Sequence, residues 1–274
     1  MSNTTPDSKQ AVSLAPSRVL ELLGRWWPSG TPASDRFVAI LVAACDASGT
    51  NPEEGAICFA GYLSTEASWA AFEPEWNAAL AELGLEMLHM RELWSKTGAY
   101  AKWNAAEKEV VLSRFIEITH KHSVFQFGRV VPHALISAAS PGEHREVAYA
   151  AAALGCIEAV ARHLQAIGSS AHVKYVLDRG DRWGLLDGID DEIGDRLLIN
   201  GFQPLNKSKF LPLQAADLLA HQLREHSRRL LDDDKHSTRD DRMWRLLRGT
   251  PHDWRFVSKE DEVWKLALSL RAGA

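Results

Sequence analysis

Four acidic residues, Asp46, Glu92, Asp178 and Asp217, each emerge from an otherwise apolar segment: FVAILVAACDASG, MLHMREL, VKYVLDRGD and LPLQAADLLAHQL. A carboxylate buried without a partner is costly, so such a group normally meets a cation, a set of donors or water. Several of them from distant segments suggest one shared cation. Magnesium and manganese take oxygen ligands, and paired ions of this kind flank the scissile phosphate in phosphoryl transfer. The residues thus point to a metal-dependent phosphodiesterase or nuclease, with Mg2+ or Mn2+ held by Asp46, Glu92, Asp178 and Asp217.

Other side chains join these four by spacing. Gln214, Asp217 and His221 recur at intervals of three and four, which makes a polar stripe on one helix whose remaining arc is apolar. A solvent-facing stripe would explain the same letters; the wide apolar arc favours partial burial. His89 and Glu92, three apart, share a face if their segment is helical. Lys207 and Lys209 precede the Asp217 helix and suit phosphate contact, as do Arg224, Arg228 and Arg229 beyond it, although these three interleave with acids further on and read rather as solubilising surface. His120 and His122 lack a nearby carboxylate or cysteine, and the triplet Arg179, Gly180, Asp181 reads as a turn after a strand.

These groups need elements to position them. The run Phe37 to Cys45 is too apolar for a strand with one wet face and reads as a central strand with Asp46 at its end. A turn-rich link leads to a second strand, Ala56 to Leu63, so the two are expected to form a hairpin. Thr65 to Leu83 is helical, with Trp69, Phe72, Trp76 and Leu80 on one face as core. Leu85 to Leu93 is ambiguous. Helices follow at Ala105 to His122 and Val147 to Ile167, with strands at Val124 to Val131 and Val173 to Leu177. Further helices are expected from about Asp190 to Asn200 and from Leu213 to Leu231, and charged helix over the remainder. In alternating strand and helix architectures, binding groups gather where strands end. If the strands ending at Asp46 and Asp178 are adjacent and parallel, their carboxylates lie side by side.

A chain of 274 residues, 46% hydrophobic, can bury a sizeable core as one large domain. Three regions are expected: a polar, partly disordered tail with a short helix (1–34), an α/β domain (35–230) and a helical C-terminal extension packed on it (231–274). No stretch matches a membrane span of roughly 18 uncharged apolar residues, and MSNTTPDSKQ lacks a secretory layout, so a cytoplasmic location is expected. Cys45, Cys58 and Cys156 read as reduced, buried thiols. A net charge of −5 argues against coating nucleic acid by bulk positive charge, although a local basic groove can coexist with it. There is no glycine-rich phosphate loop, dinucleotide fingerprint, zincin helix or Gly-x-Ser-x-Gly elbow.

The motifs CDASG, LHMREL, VLDRGD and LPLQAADLLA, in this order between about Phe37 and Arg224, resemble those of a bacterial family called domain of unknown function 3800. The resemblance implies a ribonuclease H-like fold, a mixed central sheet with helices on both faces, and an acidic cluster that holds magnesium or manganese. Asp46, Asp178 and Asp217 carry over at matching positions, Glu92 and His89 less closely, and Gln214 matches the helix motif. One departure is Ala47, where the family reads Asp-Glu-Ser-Gly. Successive strand residues face opposite sides, so a residue at position 47 would point away from the partners of Asp46.

The expected mechanism uses two ions bridged by Asp46, held by Asp178 and Asp217 and completed by Glu92, with His89 or His221 moving a proton. Lys207, Lys209, Gln214 and His221 are the expected substrate contacts, and DNA or RNA the expected substrate. Two alternatives are a small-molecule phosphodiesterase or phosphatase, and a non-catalytic nucleic-acid or protein-binding module.

Overall fold

The computed structural model describes residues 41–95, 97–138, 144–181, 186, 189–231 and 247–257. The expected N-terminal tail, its short helix and the start of the first strand at Phe37 lie outside these residues, as does most of the C-terminal extension.

The elements in chain order are β1 (Leu41–Ser48), β2 (Ala56–Thr65), α1 (Glu66–Glu82), α2 (Met90–Ser95) and α3 (Ala105–His122). Then come β3 (Phe125–Pro132), α4 (His133–Ser137), α5 (His144–Ala166), β4 (Val173–Asp178) and α6 (Ile189–Leu197). The last are β5 (Ile199–Leu205), α7 (Pro212–Leu231) and β6 (His252–Phe256). The strands make one mixed six-stranded sheet in the order β5-β4-β1-β2-β3-β6. β2 runs antiparallel to both β1 and β3, as the hairpin expectation had it for the first pair. β4 lies parallel to β1 and β5 parallel to β4. The protein is thus α/β, with helices on both faces of the sheet.

Alternation along β1 sorts its side chains between two cores. Val42 and Ala44 face a cluster built from α1, α3 and α7, where Trp69, Phe72 and Trp76 are fully buried, as their spacing predicts. Ala43 and Cys45 face a second cluster filled by the alanine-rich helix α5. Truncating one such tryptophan to alanine typically costs about 3–5 kcal/mol. By length and hydropathy α5 would also suit a membrane span, contrary to the expectation that no stretch does, yet 83% of that window is buried inside the fold. All three cysteines are free and buried.

The C-terminal segment differs from expectation. His252–Phe256 form a strand, not a helix, which lies parallel to β3 at the sheet edge. A buried cation explains the docking: Arg129 on β3 donates to the backbone carbonyl of Asp253 at 2.9 Å and pairs with its carboxylate at 3.2 Å. Arg162 of α5 reaches the same carboxylate. Periodicity within a five-residue segment carries no trace of a partner more than a hundred residues away.

Candidate active site

β1 and β4 are adjacent and parallel, with Cys45 level with Leu177, so Asp46 and Asp178 emerge side by side at the carboxyl edge. α7 packs across β1 and β2 and delivers Asp217 to the same place. Lys207, from the turn between β5 and α7, fills the space between them. Its ammonium stands 2.9 Å from Asp46 Oδ2, 3.5 Å from Asp217 Oδ1 and 3.8 Å from Asp178 Oδ2. Three of the four expected carboxylates therefore converge on one nitrogen.

The fourth does not. Glu92 is exposed on α2 and does not line the cleft described below. In its place stands Asp181, which the sequence reading left as a turn residue. The backbone N–H of Ala47 donates to it, and it feels the charges of Lys207, Asp178 and Asp217. The signal was present in VLDRGD: a second carboxylate follows Asp178 by three residues, within reach of one tight turn.

Four carboxylates share one ammonium, and two of them, Asp46 and Asp181, are displaced from the ordinary carboxylate range. Burial pushes Asp46 well above the ordinary carboxylate range, with Lys207 pulling the other way. Burial and the charge of Asp178 raise Asp181 to about 7, against the opposing pull of Lys207. Burial works against the ammonium of Lys207 as well, but Asp46, Asp217 and Asp178 outweigh it and hold the group above its usual value. The lysine stays charged, while Asp46 and Asp181 keep a proton to higher pH than a free carboxylate does. Asp46 Oδ1 and Asp181 Oδ2 are buried with no hydrogen-bond partner among the described residues.

Gln214 organises this corner from within. It is fully buried and accepts from Trp76 Nε1 at 3.0 Å and from the backbone N–H of Leu88 at 2.9 Å. Its amide nitrogen donates to the carbonyl of Lys207 at 3.0 Å. The expectation that Gln214 touches substrate is corrected: all of its contacts are internal. Lys207 lies in the cleft wall with its ammonium paired to the carboxylates, whereas Lys209 is exposed and outside the cleft. Asp217 Oδ2 accepts from the backbone N–H of Met90 at 3.1 Å, which ties α7 to the start of α2. Tyr100 pins the same segment by accepting from His89 N and donating to Met87 O.

A cleft of about 440 Å³ opens beside the cluster, with Lys207 and Asp217 in its wall. His89 and His221 line it, together with Arg224 and Arg229, read from sequence as surface rather than phosphate contacts, and with Arg91 and Trp94, which the sequence reading did not single out. The polar stripe of α7 is buried rather than wet: Asp217 is 9% exposed and His221 7%. Burial lowers His221 to about 4, so its imidazole is neutral at neutral pH. Gly49 borders the cleft at φ 79°, where a Cβ would stand 2.1 Å from the carbonyl oxygen of Ala56 and 2.7 Å from Arg224 Cδ. The CDASG motif thus needs its glycine for close approach. Ala47 packs against the opposite core, so the side chain at this position turns away from Asp46, as strand alternation predicts.

The donor set is all oxygen, with two orphaned buried carboxylate oxygens, which fits a hard divalent cation in kind. Among the described residues, no three acidic, histidine or cysteine side chains already stand in a metal-holding arrangement. Lys207 is the cation in their midst. No protein-family model matches the chain, and no curated protein compared with it does either.

Proposed function

We propose that the protein is a metal-dependent phosphodiester hydrolase, most simply a nuclease, on a ribonuclease H-like fold. The observation that carries this reading is the convergence of Asp46, Asp178 and Asp217 on a single cationic point, with Asp181 beside them. An antiparallel β1-β2-β3 unit continued by parallel β4 and β5 supports the fold assignment. So do the four motifs that resemble those of domain of unknown function 3800.

In this reading Asp46, Asp178, Asp181 and Asp217 would hold Mg2+ or Mn2+ in the place the Lys207 ammonium takes here. A bound ion of this type polarises phosphoryl oxygens and lowers the pKa of water. The protein's own residues do the rest. Gln214 and the Met90 N–H fix the lysine turn and Asp217. His221, neutral above about pH 4, offers one N–H donor and one acceptor nitrogen but does not act as an imidazolium acid at neutral pH. That leaves His89, on the cleft wall, as the group placed to move a proton.

The test is hydrolysis of labelled DNA and RNA, single- and double-stranded, and of an activated aryl phosphodiester, each with Mn2+ and Mg2+. Asp46→Asn and Asp217→Asn should each cost more than the roughly 10–100-fold that follows loss of a residue behind a metal ligand. Turnover of the aryl diester alone would favour a small-molecule phosphodiesterase. The three contacts of Lys207 favour one other reading, a binding module in which the lysine has become the permanent counter-ion and turnover is lost. Absence of metal-dependent hydrolysis on every substrate would select it.

A further inference from the structure

We infer that the cleft beside the carboxylates is a single-strand site, in which Trp94 is the platform for a nucleobase and Arg91 meets the backbone phosphate; this deepens, and rests on, the phosphodiester reading. Trp94 keeps 45% of its surface exposed although it belongs to the cleft wall. A tryptophan held in place at a pocket rim presents a large, rigid, amphipathic surface, the kind enriched where ligands and partners bind.

The indole is held. Lys108 Nζ sits 5.7 Å from the ring centroid and donates to the carbonyl of Leu93, next in sequence. The His221 ring stacks with the indole, 2° between planes and 5.9 Å between centroids, and fixes it from the helix that carries Asp217 one turn away. His221 is buried, and its Nδ1 has no partner among the described residues, so an acceptor or donor is on offer at the platform's inner end.

The charges on the wall are not equivalent. Arg224 is engaged by Glu54 and Glu225 and shapes the cleft rather than binding anions. Arg91 is exposed on α2 and joins no ion pair among the described residues. A side-chain platform with one available guanidinium suits an unstacked base and its phosphate, because the bases of a duplex are stacked on each other and present no face. The volume, about 440 Å³, suits a nucleotide or two and not a helix.

The experiment is fluorescence anisotropy with labelled oligodeoxythymidylate and oligouridylate of roughly 12 nucleotides, and a blunt duplex of equal length, in metal-free buffer over a salt series. The wild-type protein should bind the single strands more tightly than the duplex. Trp94→Ala should weaken single-strand binding about five- to a hundredfold with the salt slope unchanged. Arg91→Ala should reduce the slope by about one. No single-strand preference, or a Trp94→Ala protein that binds as wild type does, overturns the inference. Because no metal is present, loss of the hydrolase reading would appear separately, as intact single-strand binding without cleavage when Mn2+ is restored.

Discussion

Lys207 Nζ lies 2.9 Å from Asp46 Oδ2, across 161 residues of sequence, and that ion pair is the centre of the site. Breaking a buried pair from one side leaves the other charge uncompensated, at about 3–5 kcal/mol. Lys207→Met keeps the stem and removes the ammonium, so the variant should melt well below wild type at pH 8. Asp46 already sits above its usual range, and without Lys207 it rises further. A raised folded-state pKa favours folding where the group is protonated, so the deficit should shrink as the pH falls towards 4. Added Mn2+ should restore more stability to the variant than to wild type, because it binds only the folded state. A melting temperature insensitive to the substitution would show that the contact carries no energy.

Asp181 gives a pH signature of its own. Its folded pKa of about 7 lies well above the ordinary aspartate range, so the folded state holds a proton that the unfolded chain releases. The contribution of Asp181 to stability should therefore decline between about pH 4 and 7, by as much as about 4 kcal/mol, against the opposite trend of His221 over the same range. Asp181→Asn should match wild type near pH 4, exceed it at pH 8, and flatten that decline in urea titrations. A pH-independent difference between the two proteins would contradict the assignment.

His221 acts in the opposite direction. Held at about 4, it stays neutral in the folded state while the unfolded chain takes up a proton below about 6.5. Its contribution is present above pH 6.5 and lost as the pH falls to 4, about 3 kcal/mol in all. His221→Phe keeps a ring against Trp94 and should remove this acid-side loss, measured by the same titrations. A wild-type acid limb retained in the variant would assign the proton uptake elsewhere.

Gln214 should behave as a structural brace. Gln214→Leu leaves the Leu88 N–H, the Trp76 indole N–H and the Lys207 carbonyl without their partner, at about 1–3 kcal/mol for each buried group. A fall of about 3 kcal/mol or more in unfolding free energy is expected. A loss of activity with unchanged stability would instead return Gln214 to the substrate.

Much of this arrangement was legible because it is local. Strand alternation placed Asp46 and turned position 47 away, and helical spacing put Gln214, Asp217 and His221 on one buried stripe. What stayed hidden depends on contacts between distant segments. Lys207 reads as a phosphate binder until three carboxylates arrive around it, and Gln214 as a substrate contact until Trp76 and Leu88 close over it. Asp181 looks like an ordinary turn residue, since nothing in an Arg-Gly-Asp triplet tells which way its last side chain faces. Glu92 shows the converse: the right residue type in the right motif, left on the solvent side of a six-residue helix. Likewise β6 is defined by its pairing with β3 and not by its own letters.

Calorimetric titration of Mn2+ into the wild-type protein and into the Asp46→Asn, Asp217→Asn double variant tests the central claim most directly. Saturable binding to wild type, lost in the double variant together with hydrolysis of the oligonucleotides, is the predicted result. A wild-type protein that binds no Mn2+, or a double variant that binds it equally well, would contradict the claim and leave Lys207 as the only cation this acidic cluster serves.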